Sequence, residues 1–153
     1  MDRNAHIREL NDLYQLMADG RKGYQEASKK ATHPGIASIL AELGARRNGL
    51  EERLGEEIRR FKQDDRTQEG TLKGVLHRAW IDIREAISSS DDDSVLAECE
   101  RGERYLLERM ETVAGDEDVA PASRALIDEM RREVEKDLAL LEGTRAIGRT
   151  VGH

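Results

Sequence analysis

The sequence predicts an all-α fold: a single four-helix bundle with an additional short helix in the crossover between its second and third long helices. Three observations carry that expectation. Charged and apolar residues each make up 37% of the chain, whereas Phe, Trp and Tyr together supply 3% and Pro only two residues. That composition suits amphipathic helices and lacks the strand formers of a β fold. Apolar residues recur every three or four positions over four long stretches, and turn formers separate the stretches. At 153 residues the chain has the length of about one domain, enough to bury a core without disulfide or metal staples.

The first helix runs from about Asn4 to Lys30, with Ile7, Leu10, Leu13, Tyr14, Met17, Gly20, Tyr24, Ala27 and Ala31 at helical spacing. Thr32-His33-Pro34-Gly35 ends it, because the residue before a proline avoids the helical region. Pro34 or Gly35 then opens the second helix, since Pro is well tolerated in a first turn. Its stripe of Ile36, Ile39, Leu40, Leu43, Leu50, Leu54, Ile58 and Phe61 spans roughly 40 Å. The polar residues from Lys62 to Gly70 read as a linker, and Thr71 as a cap for a shorter helix, Leu72 to Ile87, with Trp80 on its apolar side. SSSDDD supplies N-cap candidates for a helix from Ser94 to Ala114; it lacks the spaced ligands, central Gly and closing Glu of a calcium loop. Gly115 to Ala120 is a loop, and Pro121 to about Gly143 the last helix. The domain is therefore 1–143, and the tail 144–153 is expected to fray. Two long helices, a crossover, then two more place the second and third helices parallel, which is the connectivity of the ferritin-like class.

Several function classes are disfavoured. A net charge of -7, with no dense Lys/Arg block, argues against nucleic acid. Cys99 is the only cysteine, so no internal disulfide forms and a reducing compartment is expected. The N-terminus lacks the apolar core of a secretory signal, and no run approaches the ~20 apolar residues of a spanning helix. The expectation is a cytoplasmic protein with no membrane partner.

LNDLYQLMADGRKGYQEA at Leu10 to Ala27, GVLHRAWIDIREAI at Gly74 to Ile87 and ECERGERY at Glu98 to Tyr105 carry a resemblance. With these signatures the chain resembles an uncharacterised bacterial family of ferritin-like four-helix-bundle proteins, from about Asn4 to Leu141. The resemblance implies a ferritin-like fold and no established activity. It also implies a histidine in the last helix near Asp137-Leu138, which this sequence does not have.

A ferritin-like di-iron site takes one carboxylate from each of two helices and a Glu-x-x-His pair from each of the others. Stepping each helix at ~100° per residue puts Arg21, Gly44, Arg47, Glu103, Val134 and Asp137 at the inward positions. Two carboxylates, no histidine and two guanidiniums cannot hold two irons, because arginine keeps its proton and repels a cation. The leading expectation is a buried ionic layer in which Glu103 and Asp137 are neutralised by Arg21 and Arg47. Two alternatives stand beside it: a single metal site at Glu103 and Asp137, or a bend that leaves these residues at the surface. Cofactors are therefore expected to be none, with iron or manganese as the alternative. His6, His33, His77 and His153 fall at a helix start, a loop, a helix flank and the terminus, and Cys99 reads as core.

The functional expectation is a ferritin-like bundle with a degenerate di-iron site, acting noncatalytically through a protein partner or homo-oligomer or in a stress-associated role. Its alternative is a carboxylate-bridged metal-binding or iron-oxidising protein, with Glu26, Glu42, Glu103 and Glu133 as a differently phased shell. A bundle holding haem or an apolar ligand ranks last, because no Met or His pair faces inward at matched depth.

Overall fold

The structure is a computed structural model that describes residues 2–62 and 91–151, with side chains as far as residue 148. Among the described residues the regular structure is four α-helices: α1 (Arg3–Lys30), α2 (Pro34–Lys62), α3 (Asp92–Ala114) and α4 (Pro121–Val151). The expected linker from Lys62 to Gly70, the short helix Leu72 to Ile87 and the LHRAW block with His77 and Trp80 fall beyond Lys62, outside the described residues.

Local chemistry explains the helix ends. The Asp2 carboxylate accepts from the amides of Asn4 and Ala5 at 3.0 and 3.2 Å and caps α1. Ala31 leaves the helix with ψ of 137°, and α2 begins at Pro34. Asp91 caps α3 by accepting from Ser94 N at 2.9 Å, so that helix starts at Asp92, two residues ahead of the expected Ser94. Asp92 and Asp93 stand in its first turn, where the helix dipole favours negative charge. α4 continues past the expected helix end near Gly143 to Val151. Arg145 ties the start of these turns to α3. The Thr144 hydroxyl donates to Leu140 O at 2.8 Å, and Arg145 pairs with Asp93 at 3.1 Å and Glu100 at 3.3 Å.

Contacts at the two ends fix the topology. In the α1–α2 turn, Thr32 N, Thr32 Oγ1 and His33 N donate to the Asp92 carboxylate at 3.0, 2.9 and 3.0 Å. α3 therefore starts at the same end as α2 and runs parallel to it. At the opposite end Arg3 donates to Phe61 O, and Ala120 N donates to His6 Nδ1 at 3.0 Å. Lys62 and Asp91 thus lie at opposite ends of the bundle. α1 packs on α2 and α3, and α4 packs on α3 and α2, so every neighbouring pair is antiparallel and the parallel pairs occupy the diagonals.

Among the described residues the core is divided into two apolar regions. One holds Leu10, Leu13, Met17, Leu50, Leu54, Leu106, Met110, Ile127, Met130 and Val134. The other holds Tyr24, Ala27, Leu40, Leu43, Val95, Leu96, Cys99 and Leu141. Each fully buried aliphatic side chain contributes roughly 1.5–3 kcal/mol, so these regions supply most of the stabilisation. Between them lie the buried Arg47, Glu103 and Asp137, with Gly20 of α1 against Arg47 and the neighbouring Asp19 also buried. No described helix is long and apolar enough to cross a membrane.

Candidate functional site

The polar layer is built around Arg47, whose side chain is 2% exposed. From α2 it reaches across the diagonal of the bundle to α3, where a single nitrogen, Nη2, lies 2.5 and 2.7 Å from the two carboxylate oxygens of Glu103. Glu103 is itself buried. The pair is charge-assisted and close, but it is not the two-nitrogen fork that guanidinium and carboxylate form most readily. Nε of Arg47 has no hydrogen-bond partner among the described residues. Burial alone would lower the guanidinium's affinity for its proton; the facing Glu103 more than offsets this, so its pKa is raised. The guanidinium also stands 5.6 Å from the centre of the Tyr24 ring, a cation–π distance.

Gly20 makes this arrangement possible. A Cβ built on Gly20 would come within 2.7 Å of Arg47 Nη1, so the largest polar side chain of the layer sits against the smallest residue. A second close approach occurs at Gly44, where a Cβ would meet Tyr24 Cβ at 3.3 Å. The guanidinium is held by Glu103 at one end and is 2% exposed, so a shift away from a Cβ would disturb the ion pair or the packing around it. Gly20→Ala is accordingly expected to destabilise the protein by about 1–3 kcal/mol, although alanine is the better helix former. Chemical denaturation of the two proteins measures this directly; a variant as stable as the parent, or more so, would show that Arg47 moves freely.

The expected partner from α1, Arg21, is not part of the layer. It is half-buried on the α1–α2 surface, pairing with Glu51 at 2.6 Å and approaching Gln25 at 3.4 Å. One residue of helix rotation, about 100°, separates Arg21 from the inward Gly20. Asp137 does lie inside, with a side chain 1% exposed, but its neighbour is Arg46 rather than Arg21. Arg46 Nη2 comes within 2.9 Å of Asp137 Oδ1 without hydrogen-bond alignment, and its own side chain is 44% exposed. Desolvation raises the Asp137 pKa to about 6, the Glu103 charge adds to the rise, and Arg46 and Arg47 only partly pull it back. The layer thus contains one firmly paired carboxylate and one weakly supported one.

Other candidates are dispersed. Glu26 and Glu42 are exposed, and Glu133 pairs with Arg53 at 2.7 Å beside a second Arg53 contact to Glu129 at 3.1 Å. The shell of Glu26, Glu42, Glu103 and Glu133 is therefore not brought together. Among the described residues no group of three or more His, Cys, Asp or Glu is placed to hold a metal ion. Cys99 is buried in the apolar region beyond the layer, and burial pushes its thiol pKa up, away from reactive thiolate. Tyr24 is likewise buried, its hydroxyl has no hydrogen-bond partner among the described residues, and burial raises its pKa.

Two features escaped the sequence reading. Gly20 was already in the inward stripe, and a glycine opposite a long cation was the available signal. Arg46 carried no signal, because it lies off the inward face and reaches Asp137 only through the α2–α4 seam.

A family model described as a domain of unknown function, DUF2383, matches residues 5–116. The match takes in Gly20, Arg47 and Glu103, while Asp137 lies beyond it. No curated protein and no solved structure matches the chain.

Proposed function

The chain belongs to the DUF2383 family of domains of unknown function, and on that premise we propose that it is a ferritin-like bundle whose centre carries an ionic layer in place of a di-iron site. In this reading it works without catalysis, through a protein partner or through copies of itself, as an interaction or stress-associated protein of the cytoplasm. The parallel diagonal helices α2 and α3 support the ferritin-like kinship. One observation carries the functional part: the buried Arg47 guanidinium occupies the level where inward metal ligands would converge. A guanidinium stays protonated, donates rather than accepts, and repels a cation at contact distance. Glu103, the carboxylate best placed to bind metal, has both oxygens committed to it.

Anaerobic Fe(II) and Mn(II) titration with elemental analysis of the tag-free protein tests this, with Glu103→Ala as the companion variant. No stoichiometric binding by the parent protein is expected. Uptake near one or two ions per chain, the occupancy of a carboxylate-bridged site, would overturn the reading, and loss of that uptake in the variant would place the metal at Glu103.

A further inference from the structure

Of the two described histidines His33 is exposed, whereas His6 is completely buried at the far end of the bundle. Its Nδ1 accepts the backbone N–H of Ala120 at 3.0 Å. A ring nitrogen that accepts a hydrogen bond carries no proton, so His6 stands as the neutral tautomer protonated on Nε2. That Nε2 is buried and has no partner among the described residues. The ring packs against Phe61, with centroids 4.0 Å apart and planes at 51°. One imidazole therefore joins the start of α1, the last turn of α2 and the segment that leads into α4. Ala120 immediately precedes that helix, and the adjoining Val119 is fully buried in the apolar core.

We propose that His6 is a proton-operated latch, which holds the α3–α4 loop and the first turn of α4 against α1 and α2 while neutral and releases them on protonation. The chemistry requires no fine adjustment of energies. An imidazolium has N–H on both nitrogens, so its Nδ1–H would face the Ala120 N–H, donor against donor, and the contact must break. Among the described residues the charged groups facing His6 are Glu57 and Arg60 from α2 and Arg3 from α1. Glu57 is the carboxylate among them, and it already receives Ser123 Oγ from α4 and Arg60 at 2.6 Å. The environment therefore opposes protonation: desolvation lowers the His6 pKa, Arg3 and Arg60 lower it further, and Glu57 only partly compensates.

The sign follows by linkage. The folded pKa lies below the ordinary histidine value of 6.5, so the latch contributes fully above that value and is lost as pH falls through the folded one. This inference is independent of what the central layer binds, since His6 lies at the bundle end and not in the layer.

Isotope-resolved NMR of the full chain from pH 7.5 to 4.5 tests it, with hydrogen exchange of the Ala120 amide corrected for its intrinsic pH dependence. At neutral pH the His6 Nδ1 shift should be that of an unprotonated nitrogen, and the midpoint should lie below 6.5. Ala120 protection should then fall, by up to about tenfold per pH unit, between 6.5 and that midpoint, and level off below it. His6→Asn keeps an acceptor oxygen close to the Nδ1 position and does not titrate, so its Ala120 protection should stay level. An Nδ1-protonated tautomer, a midpoint at or above 6.5, or protection that ignores the His6 titration would each overturn the latch. The parent protein alone decides these three points if the variant does not fold.

Discussion

Arg47→Met is expected to destabilise the bundle by about 3–5 kcal/mol at neutral pH, the usual cost of leaving a buried charge without its partner. Methionine fills much of the vacated volume, so most of the loss comes from Glu103, which is 2% exposed and has both carboxylate oxygens on Arg47. For a chain of this size the melting temperature should drop by roughly 10 °C or more. Urea unfolding should show a lower midpoint at an unchanged slope, because the surface exposed on unfolding is the same. The double variant Arg47→Met, Glu103→Met distinguishes the charge from the packing. Replacing a buried ion pair by apolar groups of similar volume is often neutral or stabilising, so it should recover to within about 1–2 kcal/mol of the parent. If the single variant were as stable as the parent, Glu103 would have found another partner and the layer would not be what holds that carboxylate. A double variant no better than the single one would instead assign the loss to shape.

Asp137→Asn is expected to make the protein more stable than its parent at pH 7.5 and less sensitive to pH. Desolvation, with Glu103 adding to it, raises the Asp137 pKa from 3.8 to about 6. A folded pKa above the unfolded one means that stability is fully present below the unfolded value and is lost as pH rises through the folded value. Between about pH 4 and pH 7 the ionising carboxyl should therefore withdraw up to about 3 kcal/mol, because a tenfold change in proton affinity between the two states is worth about 1.4 kcal/mol. Asparagine has nearly the same shape and never ionises, so the difference between variant and parent should be small near pH 4 and grow to that value by pH 7.5. Denaturation curves at four or five pH values measure it. A variant less stable than the parent at pH 7.5 would mean that Arg46, for all its exposure, stabilises the Asp137 carboxylate by more than burial costs. His6 moves stability in the opposite direction as pH falls below 6.5, so the comparison has to be made between variants and not from the parent's profile alone.

Much of this architecture was legible before any coordinates. Helix ends at Pro34 and Ala114 follow from turn and capping chemistry, which is local, and the structure places them within a residue or two of the expected positions. The parallel course of α2 and α3 followed from the order of long and short segments. Glu103 and Asp137 were identifiable as inward carboxylates because they interrupt otherwise apolar stripes, and Arg47 as an inward cation for the same reason. Arg21 was assigned wrongly by a single step of the wheel. On a helix of 28 residues a small drift in phase moves a side chain from the core to the seam, and only the packing partner fixes the phase.

The sequence by itself determined that amphipathic helices form and where the first three described ones stop, and it put charged residues of both signs at inward positions of one level. These depend on spacing and short-range chemistry, which a linear pattern encodes. Tertiary structure alone decided the partners: Arg47 with Glu103 across the diagonal, Arg46 with Asp137 through a seam, Gly20 as the space that admits the guanidinium, and His6 sealed beneath Ala120. Those pairings join residues distant in sequence, and the physical reason lies in their geometry. Coulomb attraction, hydrogen-bond alignment and close packing change decisively over about an ångström or a few tens of degrees, a precision that helical periodicity does not carry.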